Sequence, residues 1–96
     1  MNCLNSLIVE GNLVHGKREE NVFKFAIEYN RFHKDDNGEE RIETSFFDVE
    51  CYGKLADLCE QQFEKDRGVR LVGRLKQVES KVVIVAEHVE FKKQIK

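Results

Sequence analysis

Residues 22–52 read VFKFAIEYNRFHKDDNGEERIETSFFDVECY, two alternating stretches either side of a polar segment. Phe23, Phe25, Ile27 and Tyr29 fall on one face of an extended chain, and Lys24, Ala26, Glu28 and Asn30 fall on the other. Val22 to Phe32 is therefore predicted as a half-buried strand. Asp36-Asn37-Gly38 stands in the polar segment, and Asn-Gly between alternating runs is the strongest short-range hairpin signal. Ser45 to Tyr52 is the returning strand. Its Phe47, Val49 and Cys51 form an apolar row that belongs in a core, which turns Phe46, Asp48, Glu50 and Tyr52 outward.

Working outward, Leu4 to Gly11 and Asn12 to Lys17 are strand-like on either side of Gly11, where a glycine marks a bend or bulge. Gly53 ends the strand at Tyr52. Lys54 to Lys65 is predicted as the single helix, with Leu55, Leu58, Cys59 and Phe63 at helical spacing. Asp66-Arg67-Gly68 stops it. Val69 to Leu75 and Val82 to Phe91 are two further strands with a short link around Glu79-Ser80. Short strands need a closed or two-layer arrangement to hide their edges. The order fits an all-β, five-stranded Greek-key barrel of the OB-fold type, with its one α-helix between the third and fourth strands. Another α+β sheet is compatible with the same order.

The 96 residues are enough for one domain, 1–96. A hydrophobic share of 41% with 35% charged residues is globular composition. No apolar run reaches the roughly 18–20 residues of a membrane span, and the first residues open no signal peptide, so a cytoplasmic protein is expected. Cys3, Cys51 and Cys59 make neither an even set nor a C-x-x-C pair, which argues against a disulfide framework and a zinc site; reduced, partly buried thiols are expected. His15, His33 and His88 lie in unrelated segments, and neither a strained serine elbow nor a glycine-rich phosphate loop is present, so no catalysis and no cofactor are expected.

The net charge of -2 is unevenly spread. Residues 1–50 hold 6 basic and 11 acidic side chains, and residues 51–96 hold 10 basic and 7 acidic. A uniform basic coat is absent, so any contact with phosphate relies on a local stripe. The outward row of the third strand puts two aromatic rings on the surface, and an exposed ring offers a face on which any base stacks. Lys24, Arg31, Lys54, Arg70, Arg74 and Lys76 are the nearby cations. In the alternative reading, Phe46 and Tyr52 pack under loops or against a partner subunit.

Five segments carry a family resemblance. Asn5-Ser-Leu-Ile-Val-Glu-Gly-Asn-Leu13 resembles the first strand of bacterial single-stranded-DNA-binding proteins, and Phe25-Ala-Ile-Glu-Tyr-Asn-Arg31 resembles their second. Thr44-Ser-Phe-Phe-Asp-Val49 and Tyr52-Gly-Lys-Leu-Ala56 are similar to the third strand and the following helix, and Val72-Gly-Arg-Leu75 to the fourth. The matches keep the family's order across nearly the whole chain.

The resemblance implies an OB-fold that binds single-stranded DNA without sequence preference in replication, repair and recombination. It implies a homotetramer, with a dimer as the alternative, and contacts with replication proteins. The family's stacking positions fall on Phe46 and Tyr52, and a further one near the end of strand two falls on Phe32 or His33. Phosphate contacts are expected from Arg31, Lys54, Lys65, Arg70, Arg74 and Lys76. The chain departs from the family pattern in the very short link between strands four and five and in the acids Asp48 and Glu50 between the two rings. It also stops at Gln94-Ile95-Lys96, as a short member without the acidic tail. Small tail-less relatives such as primosomal replication proteins supply the alternative, a protein–protein interaction subunit with weak nucleic-acid binding.

Overall fold

The computed structural model describes residues 2–93. The elements follow as β1 (Leu7–Glu19), β2 (Val22–Lys34), β3 (Glu40–Tyr52), α1 (Gly53–Gln62), β4 (Gly68–Val78) and β5 (Lys81–Phe91). The five strands close into a barrel in the order β1-β2-β3-β5-β4. Strands β1 with β2, β2 with β3, β4 with β5 and β1 with β4 pair antiparallel. The seam is a parallel contact of β3 with β5, Val49 opposite Ile84 and Glu50 opposite Val85. This is the OB-type barrel expected from the order of strands and helix.

β1 is one long strand rather than two. Its residues 7–12 pair with β4 and residues 12–19 with β2, so the strand changes partner near Gly11. A Cβ at Gly11 would stand 2.7 Å from the carbonyl oxygen of Glu28, which is why the change of partner needs glycine there. The bulge itself falls at Val14, between the paired positions Leu13 and His15.

β2 and β3 run beyond their expected ends, pairing without a slip from Val22 opposite Tyr52 to Lys34 opposite Glu40. Apolar alternation stops earlier because the outer part of this ribbon has no core to face. The turn holds it instead. The Asp35 carboxylate accepts the backbone N–H groups of Asn37 (2.9 Å) and Glu39 (3.0 Å) and the Nε–H of Arg41 (3.0 Å), and Gly38 takes φ +79°.

Helix α1 ends at Gln62, three residues before its expected end at Lys65. Arg67 stops it by donating to the backbone and side-chain oxygens of Gln62, both at 3.1 Å. Ala56 and Cys59 are its buried residues, while Leu58 is exposed, because a helix this short turns only a narrow stripe to the barrel. The core holds Leu13, Ile27, Val49, Cys51, Val69 and Leu71, with Phe23 between Phe25 and the edge-on ring of Phe63.

A Cβ at Gly73 would meet the carbonyl oxygen of Val85 at 2.4 Å. Gly73→Ala is therefore expected to lower stability by about 1–3 kcal/mol, read as a lower urea midpoint at unchanged slope. Hydrogen bonding from Glu39 N–H and Arg41 holds the Asp35 carboxyl below its ordinary value. Its contribution to the turn is therefore complete at neutral pH and is lost as pH falls through that lowered value, below roughly pH 4. Exchange of the Asn37 and Glu39 amides, compared in the native protein and Asp35→Asn, checks it.

Candidate nucleic-acid interface

The unbroken β2–β3 register decides which side chains share a surface. Alternation puts Val22, Lys24, Ala26, Glu28, Asn30 and Phe32 on the same face as their partners Tyr52, Glu50, Asp48, Phe46, Thr44 and Ile42. Ile27 stands on the other, core-facing row, paired with Phe47. The three expected stacking residues therefore line one face. All are exposed: Phe32 by 74%, Phe46 by 62% and Tyr52 by 43%. Phe46 and Tyr52 stand roughly 20 Å apart along the strand, from the rise per residue.

The same register separates the two candidates near the end of strand two. Phe32 shares the face of Phe46, whereas His33 lies on the other row, opposite Arg41. Arg31 is on that other row too, opposite Glu43, with its guanidinium 3.9 Å from the Glu43 carboxylate. Arg31 thus does not join the aromatic face. Ile42 does, as an exposed apolar partner of Phe32 that its place in a polar stretch concealed. Counting the hairpin pairs outward from the Asn-Gly turn is the signal that finds it.

Between the rings the face is polar but ordered. Thr44 donates its hydroxyl to the Asn30 side-chain oxygen (2.7 Å), and the Asn30 amide donates to Glu28 (2.9 Å). Ala26, Val83 and Val85 are buried outside the central core cluster, and they floor the outer surface beside Asp48 and Glu50. Glu50, expected as an exposed acid, is only 8% exposed. It accepts the Tyr52 hydroxyl at 2.6 Å, and the Lys76 ammonium stands 5.8 Å from the centre of the Tyr52 ring. The Glu50 hydrogen bond raises the Tyr52 phenol above its ordinary value, burial and the negative charge of Glu50 add to this, and Lys76 opposes it. Tyr52 stays a neutral ring, clamped from its hydroxyl end and one face.

The cations divide into two groups. Lys54 at the start of α1, Lys65 in the turn after it, and Arg74 and Lys76 on β4 are exposed, and among the described residues none of them has an acid within 4.0 Å. Arg74 lies opposite Val85 and Lys76 opposite Val83, so both border the floor between the rings. Arg70 is different. It lies between Glu10 (3.2 Å) and Glu90 (3.8 Å), and Lys92 joins Glu10 at 2.8 Å. Lys24 is likewise engaged, 2.8 Å from Glu19. The surface offers exposed rings, a ring-orienting carboxylate and a partial rim of uncommitted cations.

Residues 4–92 match the single-strand binding protein family. A curated single-stranded DNA-binding protein of Aquifex aeolicus is 42% identical over 76 residues, covering 71% of this chain and 52% of that protein. The chain thus spans about half the length of the curated relative it matches. A Plasmodium falciparum SSB in complex with ssDNA has the same fold, with a TM-score of 0.80 at 19% identity, over 97% of this chain and 98% of that one. The protein PriB of Ralstonia solanacearum gives a TM-score of 0.77 at 14% identity, over 95% and 100% of the two chains. Those two similarities concern the fold alone. With nearly all of its described residues inside the family match, the chain belongs to the single-strand binding protein family.

Proposed function

We propose that the chain binds single-stranded DNA without sequence preference, through bases stacked on Phe32, Phe46 and Tyr52. The supporting observation is the single exposed face that carries all three rings. Bases have a π-face whatever their identity, so stacking at intervals along a strand grips any sequence. Lys54, Lys65, Arg74 and Lys76 supply the phosphate contacts, as cations without an acid partner among the described residues. Arg70 contributes less, because reaching a phosphate would mean leaving Glu10 and Glu90. Replication, repair and recombination are the processes in which such an activity serves.

A second copy of the chain is part of this proposal. Residues 7–11 of β1 pair only with β4, which leaves their other edge open, and Ile8 there is 70% exposed. Ile8 lines a hollow with Phe46, Leu75 and Val82, all three of them exposed. Pairing with another copy would cover that edge and part of this apolar surface, giving the homotetramer that the family resemblance implies or a dimer. Light scattering at micromolar concentration is expected to give a multiple of the 11.3 kDa chain mass; a monomer contradicts it.

Asp48 and Glu50 between the rings favour a second reading, in which this face holds a basic protein partner and Phe46 and Tyr52 are its anchors. Anisotropy of a labelled thymidine oligonucleotide at two salt concentrations separates the readings. Binding that weakens steeply with salt supports strand binding, and no binding at low salt supports the protein partner.

Phe46→Ala and Tyr52→Ala are each expected to weaken oligonucleotide binding by about 1–3 kcal/mol without changing the thermal midpoint greatly. Lys54→Ala or Lys76→Ala flattens the salt dependence by about 0.7 in log–log slope, and Arg70→Ala by clearly less. Glu50→Gln keeps an acceptor for the Tyr52 hydroxyl but removes a negative charge beside the strand. It is expected to tighten binding at low salt, with the gain fading as salt screens the charge.

A further inference from the structure

Cys51 and Cys59 meet in the core where the end of β3 passes under α1. Their sulfurs are 3.4 Å apart, one thiol donating to the other, and both residues are fully buried. Neither residue has a role in the proposed strand-binding face. The eight-residue separation from Cys51 to Cys59 encloses Tyr52 and Lys54, which that face does use, and Gly53 at φ +62°.

We propose that Cys51 and Cys59 are a redox modification site that closes reversibly into an intramolecular disulfide when the protein meets a peroxide. A disulfide needs its sulfurs at about 2.05 Å, so each has to move by only about 0.7 Å from the 3.4 Å contact. A shift that small is on the scale of side-chain adjustment. Cys3 is exposed and lies outside the barrel strands, so it has no part in the pair.

Either thiol can donate in this contact, and the one that accepts gains a partner that favours its thiolate, while burial works against the thiolate at both positions. Either can therefore be the attacking sulfur, and the balance is the same whichever it is. With Cys59 in that place, its thiolate attacks one peroxide oxygen, an S–O bond forms, the O–O bond breaks, and hydroxide leaves and takes up the first thiol's proton as water. The sulfur of Cys51 then attacks that of Cys59; the S–S bond forms, the S–O bond breaks, and hydroxide leaves with the second thiol's proton as water. Two thiols and one peroxide give one disulfide and two waters, with two electrons passing from sulfur to oxygen. Burial makes local opening of α1 the gate for the oxidant. The helix suits that role, as it is short and its N-cap, Tyr52, makes no side-chain capping hydrogen bond.

The closed ring pins α1 to β3 and stiffens the Tyr52–Lys54 junction; its bearing on nucleic acid rests on the function proposed above, but its formation does not. The test uses the full chain as Cys3→Ser, which removes the exposed thiol. After hydrogen peroxide, trypsin is applied without reductant; it cuts after Arg41, Lys54 and Lys65, and the cut at Lys54 falls between the two cysteines. Peptides 42–54 and 55–65 are expected as one species, two hydrogens lighter than their sum and separated by dithiothreitol. The oxidised protein is expected to melt roughly 5–10 °C higher, with slower amide exchange across α1, and dithiothreitol reverses both. Recovery of the two peptides unlinked, whether as free thiols or as sulfinic acids, overturns the proposal. So does a linked species whose melting point and exchange match the reduced protein.

Discussion

Everything on the candidate face depends on the pairing of β2 with β3 staying in one register over its whole length. The inner row, with Phe25, Ile27, Phe47 and Val49, is driven into the barrel by its apolar surface. That burial fixes which side chains stand outside, because a slip of one residue between the strands would exchange the rows. Once Ile27 lies opposite Phe47 and Phe25 opposite Val49, Phe46 and Tyr52 have no inward option. Pairing then carries the same parity out to Phe32, well beyond the part of the ribbon that the core supports. The core thus sets the positions of rings it never touches.

Electrostatics on this face do not act as a simple attraction for a polyanion. The acids Asp48 and Glu50 occupy the middle, and the cations without partners stand at the margins. Glu50 offsets its unfavourable charge by orienting Tyr52: a phenol that donates at 2.6 Å to a nearly buried carboxylate has few other positions open to it. Lys76 over the same ring adds a cation beside the acid. In the strand-binding mode proposed above, the rings contribute by stacking and charge sets how binding responds to salt.

The barrel is legible in the sequence because its strands alternate where they face a core. β2 and β3 declare their inner rows, the Asn-Gly turn joins them, and the single helical pattern falls between the third and fourth strands. Phe46 and Tyr52 are readable from the same alternation. What alternation cannot express is pairing without burial, and so the outer part of the ribbon, with Ile42 opposite Phe32, stays hidden. Nor does it express who already holds a charge: Arg70 reads as a cation like any other until Glu10 and Glu90 arrive on either side from strands distant in sequence. The helical pattern runs past Gln62 as far as Lys65, but Arg67 folds back onto the last turn and ends the helix sooner. The meeting of Cys51 with Cys59 depends on how α1 lies across β3, which no local spacing specifies.

The outer ribbon has a mechanical character of its own. Behind Phe32 and Ile42 its other row is Arg31, His33, Arg41 and Glu43, so no apolar layer backs it and its stiffness is that of two paired strands alone. Phe46 and Tyr52 sit where the ribbon is cemented to the barrel, while Phe32 rides on a cantilever. A sway of about 10° over the last four or five residue pairs, roughly 15 Å of ribbon, carries its end by about 3 Å. The distance from Phe32 to the two fixed rings is therefore compliant, whereas the distance between those two is rigid. A ligand spanning all three would find a ruler with one hinged end, able to follow a chain whose own curvature changes from one segment to the next.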